Sequence, residues 1–203
     1  MSRPTITTQP LERTDTGHYS EFLYDDGSND EVLVCAAHGG RVEPGTAEQA
    51  LELATRLSDA SCWACLGYHE DGEEFDLWHP PSSAIGPDEY PLLETIADRG
   101  FETVISLHGL AGDRVVVGGG IDLAVKRCVS DRLDAAVTPP VEAVSDGPYA
   151  GASPNNFVNW LARGDRGGLQ LEQSLVVRED ERDRVVAALE ALIEDGDGFR
   201  RSS

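Results

Sequence analysis

Lysine is nearly absent from this chain: Lys126 is the only one, and the other basic residues are arginines. Lysine and arginine together number 16 against 37 aspartates and glutamates, a formal charge of -21 over 203 residues. A surface so short of clustered cations excludes the nucleic-acid backbone and anionic membranes as partners. The acidity reads instead as a halophilic surface, on which carboxylates stay hydrated and high salt screens their self-repulsion. Long apolar runs are missing too, so no segment is expected to span a membrane. The start, Met1-Ser2-Arg3-Pro4-Thr5-Ile6, lacks the apolar core of a signal peptide, and a cytoplasmic protein is expected. Cysteine is scarce, with four in the chain, which is not a disulfide framework at this length. Cys62-Trp63-Ala64-Cys65 has the spacing of a redox or zinc pair, but no second pair accompanies it and its two thiols need not share a face of a strand.

What is present suits one domain over residues 1–203, with 40% hydrophobic residues to fill a core, a loose lead-in over 1–17 and a polar tail over 196–203. The most organised stretch begins with the apolar, β-branched run Glu31 to Ala37, a strand buried on both faces. Thr46 and Gln49 have the spacing of a capping box opening a helix over 47–57. Between them lies a glycine-rich turn carrying His38 and Glu43.

Along the chain, strands are predicted over 18–24, 61–68, 75–79, 103–107, 115–117, 141–144 and 168–177, and helices over 87–100, 121–133, 153–163 and 181–194. Asp25 to Asp30 is a dense turn signal. The alternation implies a three-layer α/β/α fold with a mixed, largely parallel sheet. Gly118-Gly119-Gly120 lacks both the Gly-x-Gly-x-x-Gly order and a Gly-Lys-Ser/Thr ending, which argues against a nucleotide site.

In such a fold ligands bind at the carboxyl ends of strands. His38 and Glu43 occupy one such turn, and His108, delivered by the strand ending at Leu107 to Gly109, occupies another. Two imidazoles and a carboxylate are a three-ligand set for Zn2+ with a fourth position open; zinc lowers the pKa of bound water to roughly 7. A carboxylate beside it must take up that proton and return it to a leaving nitrogen, and Glu172, flanked by Leu171 and Leu175, is the candidate. The competing reading is structural, since a His or Glu at a strand end more often holds the fold together by hydrogen bonds. The same reading is preferred for His79, and His18 and His69 are read as surface or structural.

The run His38 to Thr46, Ser106-Leu107-His108-Gly109, Val117-Gly118-Gly119, Asn155 to Asn159 and Leu169-Gln170-Leu171-Glu172 resembles, in order, the phage-type poly-γ-glutamate hydrolase family. The resemblance implies a zinc carboxypeptidase-like fold, zinc on His38, Glu43 and His108, and Glu172 as the catalytic glutamate. Where the family typically continues Asn-Arg, with the arginine suited to a substrate carboxylate, this chain has Asn159-Trp160. Arg163 or Arg166 would supply that charge from nearby, with Asn155 and Asn159 beside the substrate and Arg41 either at the oxyanion or exposed to solvent. The expected activity is cleavage of γ-glutamyl amides or related carboxylate-bearing peptides. The alternatives are a carboxypeptidase, an N-acyl-amino-acid amidase, and a non-catalytic zinc domain that recognises a carboxylate polymer or a protein partner.

Overall fold

The computed structural model describes residues 3–27, 31–196 and 199. Among them, eight strands form one sheet: β1 (Thr5–Arg13), β2 (Gly17–Asp25), β3 (Val32–Gly40), β4 (Ala60–His69), β5 (Thr103–Gly109), β6 (Val115–Gly118), β7 (Val141–Ala143) and β8 (Leu169–Gln173), in the order β1-β2-β4-β3-β5-β8-β6-β7. The central strands β4, β3, β5 and β8 run parallel, β1 and β2 add antiparallel neighbours at one edge, and β6 returns antiparallel to β8 with β7 parallel to it. The helices are α1 (Thr46–Arg56), α2 (Glu74–Trp78), α3 (Pro91–Ala97), α4 (Leu123–Asp134), α5 (Phe157–Trp160), α6 (Leu175–Glu179) and α7 (Arg182–Asp195).

Every residue of β3 is buried because helices cover both faces of the sheet, so neither parity of the strand can be polar. Val34 and Ala36 join Leu53 of α1, Leu133 of α4 and Leu189 of α7 in one core. Leu33, Cys35 and Ala37 join Trp78 of α2, Leu93 of α3 and Phe157 of α5 in the other. Cys62 belongs to the first core and Cys65 to the second, so the two thiols lie on opposite faces, and burial pushes both well above their ordinary pKa. No described helix is long and apolar enough to cross a membrane.

Several local expectations change in three dimensions. Most of the lead-in is strand β1, paired with β2. Its threonines suit an extended chain, and Pro10, beside a bulge, is tolerated because an edge strand needs only alternate amides. Phe75 to His79 is not a strand: α2 occupies Glu74–Trp78, with Glu74 and Asp76 in the helical first turn. The segment Leu175 to Val177 is the start of α6 rather than the end of β8. The predicted capping box does not form: Gly45 is the N-cap, Thr46 Oγ1 donates to Glu43 O (2.9 Å), and Gln49 exchanges side-chain hydrogen bonds with Gln173. Ser28, Asn29 and Asp30 of the expected turn, Met1 and Ser2 of the lead-in, and residues 197, 198 and 200–203 of the tail lie outside the described residues.

One buried charge fastens the second core. Glu21, fully buried on β2, accepts Trp63 Nε1 (2.8 Å) and the amides of Leu92 (2.8 Å) and Leu93 (3.0 Å), the first free donors of α3. Tyr90, the N-cap, makes no side-chain cap, so the carboxylate from β2 supplies it. Glu21→Ala strands three buried donors and is expected to cost about 3–5 kcal/mol in urea unfolding; a loss below about 1 kcal/mol would show that water replaces it.

Candidate metal centre and active site

The turn after β3 closes on itself, with the Glu43 amide donating to His38 O (2.7 Å). That bond brings side chains five residues apart to one point. A register shift against β4 between Ala36 and Gly39 re-aims His38, as bulges beside active sites do. His108 lies on β5, opposite Glu172 of β8 in the parallel ladder, and Ser106 lies opposite Gln170. All four side chains therefore leave the same face of the sheet.

His38 Nδ1 and His108 Nδ1 are 3.2 Å apart. Glu43 Oε1 lies 3.4 Å from the first, and Glu43 Oε2 lies 3.5 Å from the second. His38 Nε2 is 2.8 Å from the carbonyl of Pro80, which only accepts, so that nitrogen carries the proton and Nδ1 of the neutral ring is a bare lone pair. Ser106 Oγ, 2.7 Å from His108 Nε2, fixes the second ring with its Nδ1 facing the first. Glu43 Oε2 is buried and takes no hydrogen bond among the described residues. Buried lone pairs converging without a donor need a cation, and two nitrogens with a carboxylate oxygen are a donor set for zinc. Ligand atoms of His38, Glu43 and His108 all lie within 4.8 Å of one another. The residues fit the metal.

For His38 and Glu43 the electrostatics favour the ligand forms. Burial pushes His38 down, toward the neutral ligand form. Burial would raise the Glu43 carboxyl, but His108, His38 and His79 outweigh it and hold the group ionised, well below the usual carboxylate range. Burial would lower His108, yet the Glu43 carboxylate beside it carries it above its ordinary value. Glu172, 8% exposed, is raised to about 7, first by burial and then by the Glu43 charge, with His108 pulling the other way. Gln170 Nε2 donates to Glu172 Oε1 (2.9 Å), and Gln170 is held in turn by Asn156 Nδ2 (2.8 Å).

His38, Glu43, His108 and Glu172 line a cleft of about 500 Å³ that also takes in His79, Phe75, Tyr149 and Arg178. His79 reaches the ligand group: its Nε2 is 3.0 Å from Glu43 Oε1, with its ring against Phe75 and His38. Tyr149, at the rim, has a left-handed backbone (φ 66°), a conformation that costs energy and is common at ligand sites.

The expected substrate arginines are elsewhere. Arg163 and Arg166 both pair with Glu102, which precedes β5 and so lies at the opposite end of the sheet, roughly 20 Å of extended chain from His108. Arg41 is exposed and lines a different hollow. Asn159 is spent on the fold: Oδ1 accepts the amides of Gly120 and Gly168, while Nδ2 donates to Gly151 O and Ser153 O. Asn155 is exposed, with its amide on Ser153 Oγ. The arginine at the cleft is Arg178 of α6, 6% exposed, with Nη1 on Pro44 O (2.6 Å) and Nε on Gln173 O (3.2 Å). Among the described residues no carboxylate lies within 4.0 Å of it. A Cβ at position 109 would sit 2.7 Å from its Cζ, so Gly109 is what lets the guanidinium lie against β5.

A family model described as poly-gamma-glutamate hydrolase matches residues 9–185. The chain belongs to that family. YndL of Bacillus subtilis is 34% identical over 166 residues, 81% of this chain and 61% of YndL, so the chain spans less than two thirds of that relative. A structure of YndL described as zinc-free superposes with a TM-score of 0.68 at 24% identity, over 88% of this chain and 91% of that one. A bacteriophage poly-gamma-glutamate hydrolase gives a TM-score of 0.74 at 18% identity, over 93% and 94% of the two chains. A Shewanella denitrificans protein described as a candidate metallopeptidase gives 0.50 at 12% identity, over 93% and 82%. The fold is the zinc carboxypeptidase-like α/β/α sandwich that the sequence implied.

Proposed function

We propose that the chain is a zinc-dependent hydrolase of γ-glutamyl amide bonds in poly-γ-glutamate. The observation that carries the metal is the unsatisfied Glu43 Oε2 facing two imidazole Nδ1 atoms. His38, His108 and Glu43 would hold the zinc, which supplies Lewis acidity and a nucleophile at neutral pH. Glu172, poised near neutrality and steadied by Gln170, accepts the proton of the attacking water and passes it to the departing nitrogen. Arg178 presents its guanidinium to a substrate carboxylate, the role that the sequence assigned to Arg163 or Arg166. Membership of the family supports the γ-linked substrate, as does this buried guanidinium with no carboxylate partner among the described residues.

The test is metal content and hydrolysis measured together at molar salt on protein purified without chelator. One zinc per chain and cleavage of γ-glutamyl amides are expected. Turnover of N-acyl amino acids with the γ-linked polymer inert would move the substrate to the amidase alternative, and failure to load zinc would remove the metal reading. Arg178→Lys keeps a cation but loses the planar fork, and KM for a carboxylate-bearing substrate is expected to rise about tenfold or more at comparable thermal stability. An unchanged KM would take Arg178 off the substrate.

A further inference from the structure

A second hollow, of about 460 Å³, opens near the ligand turn. It is walled by Arg13 at the end of β1, Arg41 in the turn after β3, and Tyr68 with His18 stacked on it (5.2 Å). α2 lies beside both hollows: Phe75 and His79 line the cleft, while Trp78 packs against Tyr19 and His69. The packing at the base is close. A Cβ on Gly17 would meet His69 at 2.6 Å and Trp78 at 2.8 Å, so any side chain there would disturb this wall.

The charges are what need a reason. Arg56, Arg99, Arg114, Arg132, Arg163, Arg166, Arg182 and Arg184 each have a carboxylate within 4.0 Å. Arg3, Arg13, Arg41 and Arg127 are exposed and have none among the described residues, in a chain with 37 acidic residues, and of these Arg13 and Arg41 line one hollow together. Asp15 and Glu70 line the same hollow without pairing with either. His69 is spent on the wall, with Nε2 on Thr16 Oγ1 (2.9 Å) and Nδ1 accepting the amide of Asp71 (3.3 Å). Two guanidiniums are thus left open to an anion from outside.

Their position says which anion. Val42, which lines the cleft, is the only residue between Arg41 and the ligand Glu43, so the Cα atoms of Arg41 and Glu43 are at most about 8 Å apart. A γ-linked glutamyl chain carries one free carboxylate per residue, repeating at roughly 6 Å from standard bond lengths. A polymer with one amide at His38, Glu43 and His108 therefore brings its following carboxylates within reach of Arg41 and then Arg13. We propose that this hollow is a second anion subsite, in which Arg41 and Arg13 hold carboxylates of the same γ-linked chain away from the bond being cut. This rests on the reading of the substrate as poly-γ-glutamate. It gives a strongly acidic protein a local means of gripping a polyanion and makes long chains better ligands than short ones.

The experiment measures binding on a Glu172→Gln background, which is expected to retain substrate and turn it over only slowly. Dissociation constants for a fluorescently labelled long poly-γ-glutamate and for γ-glutamyl-glutamate are compared with Arg13→Glu, Arg41→Glu and, as a charge-matched control on the exposed surface of α4, Arg127→Glu, at matched zinc content. The polymer is expected to bind more tightly than the dipeptide, and each of the first two reversals to weaken the polymer about tenfold or more while changing the dipeptide less than about twofold. Arg127→Glu should leave both unchanged. Polymer binding that ignores Arg13 and Arg41, or falls equally with Arg127→Glu, overturns the subsite while the substrate reading stands. A background protein that retains neither ligand overturns both.

Discussion

Glu172→Gln is expected to keep its metal and lose on the order of 10²- to 10⁴-fold in kcat, the usual worth of a positioned general base. The exchange is nearly isosteric, and Gln170 Nε2, 2.9 Å from Glu172 Oε1, can still donate to the new carbonyl. What disappears is the ability to take up a proton. The side chain sits opposite His108 in the β5–β8 ladder without being one of the converging ligands, so zinc content should match the parent. The pH dependence carries the sign. Burial lifts the carboxyl to about 7, and below that value it is protonated and no longer a base for the water's proton. Activity of the parent must therefore rise with pH along an acid limb at or below about 7, since a cation on the neighbouring ligands favours the carboxylate. The Gln variant must lack that limb. Full turnover in the variant, or the same limb in both proteins, would take Glu172 out of its role and leave proton transfer to His79, whose Nε2 already meets Glu43.

The site was legible where its geometry is local or repeats along the sheet. His38 and Glu43 meet because one backbone hydrogen bond closes the segment between them, and such a turn is written in the glycines and the spacing. His108 and Glu172 follow from strands ending at the same edge of a parallel sheet. Arg178 was hidden by a strand read too long. Leu175 to Val177 is apolar enough for β structure, but β5 ends at Gly109, the partner of Gln173, and a strand without a neighbour to pair with does not persist. The chain turns into α6 instead and swings Arg178 over the cleft. Arg163 and Arg166 mislead for the opposite reason, because nearness in sequence to Asn159 is not nearness in space. Ala162 bridges to Phe101, and Arg163 N donates to Phe101 O, which carries both arginines to the far end of β5. The short run Phe75 to Trp78 fits either period over so few residues, and only the absence of a partner strand decides for helix.

His108→Ala is expected to lose zinc and, with it, hydrolysis, because two protein ligands are too few for a stable tetrahedral site. The clearest readout is thermodynamic and needs no substrate. A metal that binds only the folded protein stabilises it by RT ln(1 + [L]/Kd), about 2.7 kcal/mol at a hundredfold excess over Kd, so added zinc should raise the Tm of the parent and leave that of the variant in place. In chelator the comparison changes sign or shrinks. The parent then holds two imidazole Nδ1 atoms 3.2 Å apart beside a carboxylate oxygen with no donor, an arrangement that costs free energy without a cation, and removing one ring relieves part of it. Ser106→Ala belongs on the same axis. It frees His108 Nε2 without touching a ligand, and loss of such an outer partner weakens metal binding about 10- to 100-fold. A graded series, with the parent shifted most by zinc, Ser106→Ala less and His108→Ala not at all, follows only if the imidazole Nδ1 atoms face the metal. A zinc-dependent rise in Tm that survives His108→Ala would place the ion elsewhere in the chain and return these three side chains to the structural role that a lone histidine at a strand end usually has.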